Sequence, residues 1–335
     1  MENWLAIGEM QIFAGVQGMG KTTIAIQLTA QITRGRNFMG LPTEQGNCVY
    51  WTGEDSTEAS IIPRLMACEA DMTKGHQIRN VNENGDLRPF DIATDVPMLC
   101  ERLQQLENVK LLVIDPVIGI VGNAQDQYKP TVVRKALQPL LKLAKDREMA
   151  ILGVTHLAKL QSSGNAGMVD RVLGSGVWTQ MPRGVWGADW SEKHKARVLS
   201  VIKSNLKVGE HAYKFAIEAG MVDINGKEKS AAIAAFDIKN LEEHHDDIFG
   251  GTKAQANTNA TRDAAKEFIL EQLYDSANKW KTIEERGIEK NHAKRTLERA
   301  RNELEKAVDI KRDGEGRSTI WCIPPDDDDE EEHPF

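Results

Sequence analysis

Two kinds of segment alternate through the first two thirds of the chain. Short unbroken apolar runs predict buried strands over residues 11–14, 47–51, 110–115 and 149–154. Between them, apolar residues recur at helical spacing over residues 22–33, 61–70, 96–106 and 132–147; in the first of these Ile24, Ala25, Leu28 and Ile32 share one face. Continuous apolar strands separated by amphipathic helices imply a mainly parallel sheet covered on both faces. This α/β pattern fills a first domain over residues 1–240.

The pattern then breaks. Residues 241–260 are polar, with Glu242-Glu243-His244-His245-Asp246-Asp247 followed by Gly250-Gly251 and an Asn-rich stretch, and read as a flexible linker. The His244-His245 pair beside acids reads either as a solvated linker or as a metal ligand pair. Periodicity returns over residues 261–323. Ala265, Phe268, Ile269 and Leu273 form one helical stripe. A short helix over 282–286 is ended by Gly287, and a third helix over 291–306 carries Leu297, Ala300 and Leu304. Two alternating stretches, 308–311 and 319–322, are joined by a Gly-rich turn at 313–317 and predict a hairpin. Residues 324–335 form a disordered acidic tail.

At 335 residues the chain is long enough for one large and one small domain. The formal net charge of -8 argues against an all-basic surface, but much of the acid lies in the last ten residues. No apolar run is long enough to span a bilayer, and the first residues lack the basic flank and apolar stretch of a secretion signal. Cys48, Cys68, Cys100 and Cys322 are scattered without metal or redox spacing. The expectation is a soluble cytoplasmic protein with no membrane partner.

The run Gly15-Val16-Gln17-Gly18-Met19-Gly20-Lys21-Thr22 sets the pattern G-x-x-x-x-G-K-[ST] between a predicted strand and a predicted helix, the context in which that pattern cradles phosphate. Its glycines let backbone N–H groups curl around phosphate oxygens, and the helix N-terminus adds partial positive charge. Gly15, Gln17, Gly18, Met19, Gly20, Lys21, Thr22 and Thr23 are the candidate nucleotide contacts. Lys21 is placed for the β and γ phosphates and Thr22 for Mg²⁺, so ATP and Mg²⁺ are the expected cofactors. Three strand ends carry further polar residues, and ligands in such sheets sit beyond the carboxyl ends of the strands. Asp115 reads as a Mg²⁺ carboxylate or as a cap before Pro116. Glu54 reads as the group that activates the attacking water, or as part of a helix entry capped by Asp55 or Ser56. His156 reads as a contact for the γ-phosphate or its water, or as a surface imidazole.

The order of Gly15 to Thr22, Glu54-Asp55, Asp115-Pro116 and Thr155-His156 resembles RecA-like P-loop ATPases, and within them the RepA-type hexameric helicases of plasmids and phages. The resemblance covers residues 8–220. It implies a RecA-like core, a hexameric homo-oligomer with ATP between subunits, and single-stranded DNA in a central channel. Arg171-Val172-Leu173-Gly174-Ser175-Gly176 looks like the family's channel loop, and Lys203-Ser204-Asn205-Leu206 like the strand that reaches the neighbour's nucleotide. Related rings often carry Lys-x-Arg where this chain has Lys203-Ser204-Asn205. Arg183 and Arg197 are therefore the candidates for a trans-acting arginine, with Lys203 supplying charge, unless these are surface ion-pair residues. With the phosphate loop starting at Gly15, no N-terminal collar domain is expected. Residues 158–176 are rich in Gly, Ser and Asn, and Lys159 and Arg171 are the candidate DNA contacts there; a solvated loop or a subunit contact is the competing reading. Trp178, Trp186 and Trp190 read as core or interface residues.

Three helices and a hairpin make the small domain look like a winged helix-turn-helix, whose third helix would read DNA. Lys290, His292, Lys294, Arg295 and Arg299 cluster on or near that helix, and Arg312 and Arg317 flank the wing, a candidate surface for duplex DNA. Glu298, Glu303 and Glu305 dilute its charge and leave a protein-docking role open. The tail's Pro334-Phe335 looks like the tip of single-stranded-DNA-binding proteins, which docks on replication enzymes, its acids steering it to a basic-rimmed pocket. Three functions follow: a ring-shaped DNA motor, an ATP-switched DNA-binding regulator or recombination mediator without unwinding, and an adaptor whose tail recruits replication proteins.

Overall fold

The computed structural model describes residues 1, 4–83, 86–122, 126–158, 167–205, 211–249, 253–274, 277–290, 292–306, 310–313 and 320–322. The chain divides into two compact units, Met1–Thr252 and Lys253–Phe335.

The first unit is built on a 9-stranded sheet ordered β11-β10-β9-β8-β1-β7-β6-β2-β3. Its parallel strands are β1 (Met10–Gly15), β2 (Asn47–Thr52), β3 (Gly75–Ile78), β6 (Val109–Asp115), β7 (Ala150–His156) and β8 (Gly184–Ser191). Three antiparallel strands extend it: β9 (Ala196–Ser204), β10 (Ala212–Ile224) and β11 (Lys227–Phe236). A small hairpin of β4 (Asn80–Glu83) and β5 (Asp86–Pro89) stands apart.

Each central strand feeds two cores, because successive side chains point to opposite faces. Leu111 and Val113 of β6 pack on one side, with Phe13 and the apolar stripe of helix α1 (Lys21–Arg34). Leu112 and Ile114 pack on the other, with α3 (Val96–Gln104) and α4 (Pro130–Asp146), whose Val133, Leu137, Leu140 and Leu143 are buried. Helix α1 ends at Gly35, whose φ of 63° lets its N–H close on the carbonyls of Gln31 and Ile32. A π-helical turn over Thr57–Ile61 leads into the short α2 (Ile62–Ala67), and α5 (Val177–Gln180) precedes β8. Trp186 donates from Nε1 to the carbonyl of Trp4 at 2.9 Å. Trp178 and Trp186 are core residues, and Trp190 is exposed. Among the described residues no helix is long and apolar enough to cross a membrane.

Residues 241–249, read from the sequence as linker, are instead packed structure. Helix α6 (His245–Phe249) places Ile248 against Val198 and Ala212. Ser191 Oγ donates to the Ile248 carbonyl at 2.7 Å, and the Leu241 N–H to the Ala212 carbonyl at 2.8 Å. The polar neighbours conceal one buried isoleucine. Linker residues 253–260 are helical too, since α7 (Lys253–Tyr274) begins at Lys253.

The second unit comprises α7, α8 (Trp280–Glu289), α9 (Lys294–Lys306) and the paired strands β12 (Lys311–Asp313) and β13 (Ile320–Cys322). Phe268, Ile269, Leu273, Ile283, Leu297 and Trp321 form its core. Gly287 does not end the second helix but lies inside α8. A Cβ there would meet Leu297 Cδ1 at 2.7 Å, so the glycine is a packing requirement of the α8–α9 contact.

Candidate nucleotide site

Gly15 ends β1, and the chain turns at once into α1. Gly18 and Gly20 hold φ values of 79° and 92°, a region that side chains disfavour. Gly20 is also closed on one side by β10: a Cβ there would meet Ile217 Cδ1 at 2.6 Å. Gln17 and Gly18 are exposed at the loop's crest, Met19 is partly exposed, and Thr23 is buried in the first helical turn. Helix α1 has no side-chain cap and no acidic residue in its first turn. Its leading N–H groups and positive dipole end are thus left for an anion.

Lys21 is only 7 % exposed and forms no ion pair among the described residues. Its Nζ lies 3.3 Å from His156 Nδ1 and donates to the Val16 carbonyl at 3.3 Å. Burial lowers the Lys21 pKa, against the upward pull of Asp115 and Glu54. Burial and the nearby Lys21 charge lower that of His156. A neutral His156 therefore presents the Nδ1 lone pair to the Lys21 ammonium. A buried cation with a neutral partner and an uncapped helix end is the charge pattern a phosphate completes.

Asp115 ends β6, beside β7 and its terminal His156. Its Oδ2 accepts hydrogen bonds from Thr22 Oγ1 at 2.7 Å and from the Tyr50 hydroxyl at 3.1 Å. Burial raises the Asp115 pKa, with both hydrogen bonds opposing it. A hydroxyl and a carboxylate in contact form a hard oxygen pair suited to Mg²⁺. Tyr50 has no counterpart in the sequence reading. It is fully enclosed in β2, and burial together with the Asp115 charge pushes its pKa well up.

Glu54 sits on the exposed turn after β2, close enough for its charge to act on Lys21, Asp115 and His156. Asp55 is engaged differently: it accepts from Ser60 Oγ at 3.1 Å and lies 3.8 Å from Arg64, although its charge also acts on Asp115. Ser56 is the residue that caps the next helical turn, accepting from the Ala59 N–H. The two neighbouring acids are thereby separated in task.

Other candidates lie away from this cluster. Arg183 and Lys203 flank β8 and β9 at the end of the sheet opposite the phosphate loop. The Arg183 N–H bonds the Met10 carbonyl, its guanidinium pairs with Glu9 at 3.1 Å, and Lys203 pairs in register with Val185 and donates to the Thr179 carbonyl. Neither joins the site of its own chain. Arg197 lies on β9 opposite Trp190. Arg171 is a correction: it is 4 % exposed, with Nη2 on Asp189 at 2.7 Å and Nε on the Ala158 carbonyl at 3.0 Å. Its charge is consumed inside the protein, and the described part of its segment, residues 167–176, folds back against the end of β7 rather than standing free. Lys159 lies outside the described residues, as do Arg317, Pro334 and Phe335.

In the second unit Lys294 pairs with Glu284 at 2.7 Å, and Lys290 lies 3.8 Å from Glu271 and over the Phe268 ring. Arg295 and Arg299 are exposed on α9. Arg301 is stacked on Trp280 and Trp321 instead.

Residues 1–162 match the family model described as an AAA domain. No curated protein matches the chain. The matched segment holds β1, the phosphate loop, α1, Glu54, Asp115 and His156, all gathered at one end of a largely parallel sheet. Residues 1–162 thus match an AAA-domain model and set a phosphate loop on a RecA-like α/β core, the make-up of a nucleotide-binding ATPase domain.

Proposed function

We propose that the protein is an ATP-hydrolysing DNA motor of the RepA-like replicative helicase type, working as a hexameric ring on single-stranded DNA and drawn from a phage or plasmid. The observation that supports hydrolysis is the convergence of Lys21, Thr22, Asp115, His156 and Glu54 at the carboxyl ends of β1, β2, β6 and β7. Mg²⁺ held at Thr22 and Asp115 would neutralise charge on the β and γ phosphates of ATP. Lys21 binds and orients the γ-phosphate. Glu54 takes the proton of the attacking water. Neutral His156 holds Lys21 and can hand a hydrogen bond to the phosphate side.

Arg183 and Lys203 lie at the far end of the sheet, so only a neighbouring copy can bring them to this site. Head-to-tail contacts of that kind close into rings. The second unit, read as a winged helix-turn-helix, would present Arg295 and Arg299, with Lys290 and Lys294, to duplex DNA. The Pro334-Phe335 tip would dock on a replication protein.

One observation favours a second reading. Arg171, the described basic residue of the expected channel loop, is bound to Asp189. A ring with less charge in its channel fits an ATP-switched DNA-binding regulator or recombination mediator that does not unwind. Steady-state ATP hydrolysis with and without single-stranded and duplex DNA, paired with particle mass by light scattering, separates the two. A ring-sized particle stimulated by single strands supports the motor. A small particle indifferent to them, or responsive to duplex alone, supports the regulator.

A further inference from the structure

His244, His245 and Asp246 stand together where the end of the first unit docks on β8 and β9. Each offers one ligand atom, and these atoms all lie within 4.8 Å of one another. Three successive residues can converge because His244 precedes α6 while His245 and Asp246 open it.

Asp246 is 2 % exposed, and its Oδ1 accepts no hydrogen bond among the described residues. A buried carboxylate oxygen left in that state is costly unless a charge compensates it. The histidines face it at 3.7 Å: His244 Nδ1 to Oδ2, and His245 Nε2 to Oδ1. That separation is too long for a hydrogen bond. Two ligands sharing one ion through bonds of ~2.0–2.2 Å lie roughly 3.3–3.6 Å apart at a tetrahedral angle, so a small inward movement closes the site.

The two imidazole rings lie 4.1 Å apart with a tilt of 30°, side by side next to the carboxylate. The Asp246 N–H donates to His244 Nδ1 at 3.2 Å, a bond that binding an ion through Nδ1 has to displace.

We propose that His244, His245 and Asp246 form a binding site for a divalent transition metal of the zinc type, with the fourth position open to water. Two imidazoles and one carboxylate favour Zn²⁺, Co²⁺ or Ni²⁺ over Mg²⁺ or Ca²⁺, which prefer all-oxygen sets. The site therefore differs in chemistry from the Thr22–Asp115 pair. Its position gives it a mechanical role. Ile248 is seated between Val198 and Ala212, and its carbonyl is held by Ser191. A bound ion at the start of α6 clasps the last packed segment before α7.

The test uses the full chain, stripped with chelator, free of nucleotide and in millimolar Mg²⁺ to fill oxygen sites. Titrated Co²⁺ is expected to bind stoichiometrically, with a visible ligand-field band that Zn²⁺ abolishes. Asp246→Asn and His245→Gln lose the band while far-UV circular dichroism stays unchanged. His333→Gln, which removes an imidazole elsewhere, keeps it. A measurement on the unaltered protein guards against misfolded variants: Zn²⁺ should slow hydrogen exchange at residues 244–249. The absence of stoichiometric Co²⁺ binding overturns the proposal, as does equal binding by all three variants, or exchange at 244–249 that ignores Zn²⁺.

Discussion

Glu54 and Asp55 are adjacent acids with different surroundings, and this difference decides which can serve as a base. Asp55 is held by Ser60 and Arg64 and its charge reaches Asp115, whereas the charge of Glu54 also reaches Lys21 and His156. Glu54→Gln should slow single-turnover hydrolysis by about a hundredfold or more with nucleotide binding retained, in keeping with the loss of a general base. Asp55→Asn should change the rate by less than about tenfold; a larger loss there would assign the base to Asp55. Asp115 tests the cost of the metal carboxylate. Burial raises its folded-state pKa above the unfolded value, so the group stabilises the fold when protonated, and that contribution is lost as pH rises through the folded pKa. At neutral pH the carboxylate is therefore a burden on the nucleotide-free protein. Asp115→Asn keeps an acceptor for Thr22 and Tyr50, and should raise the melting temperature while abolishing hydrolysis. A lowered melting temperature would mean that the carboxylate's hydrogen bonds outweigh its burial. His156 titrates with the opposite sign. Its pKa is depressed, so stability falls as pH drops through the ordinary imidazole value of about 6.5 and levels off below the folded pKa.

At the scale of elements, legibility followed burial. Strands β1, β6 and β7 are enclosed on both faces and appear in the sequence as unbroken apolar runs, each leading to a site residue. Strands β10 and β11 have exposed positions such as Met221, Glu218 and Lys229. Their mixed pattern gave no strand signal, although Ile217 of β10 closes the phosphate loop at Gly20. Tyr50 was equally hidden, since its bond to Asp115 follows from strand register, with Thr52 beside Asp115 across β2 and β6. Arg171 was misread because its partner Asp189 lies on β8 and meets it only on folding. Gly287 shows two local rules in conflict. Replacing an interior helical glycine by alanine gains about 1 kcal/mol of helix propensity. Here the new methyl would meet Leu297 Cδ1 at 2.7 Å, Leu297 Cδ2 at 2.9 Å and Phe268 Cε1 at 3.0 Å. Overpacking of a closed core typically costs about 1–3 kcal/mol. Gly287→Ala should therefore destabilise the second unit, seen as earlier loss of protection in α8 and α9 by hydrogen exchange. Increased protection would mean that Leu297 moves aside and propensity wins.

For the whole molecule, the relevant geometry is the length of the sheet between the phosphate loop and Arg183. The register sets Gly184 beside Gln11 and Ala188 beside Gly15, so β1 separates the two ends by four residues, or about 13 Å of strand. On the proposed ring, a head-to-tail assembly would set the loop end of one copy against the arginine end of the next. Each site would then take Lys21 from one copy and Arg183 from its neighbour, so that two inactive variants could repair one another. Lys21→Ala and Arg183→Ala proteins should each hydrolyse ATP poorly alone. Dissociated, mixed in equal amounts and reassembled, they should regain about a quarter of the wild-type sites, because a random ring joins an intact Lys21 to an intact Arg183 at one interface in about four. A Lys203→Ala partner run in parallel identifies which residue crosses the interface. If both mixtures stay at the level of the separate proteins while light scattering shows mixed rings, the site is completed within one chain, and neither residue acts in trans.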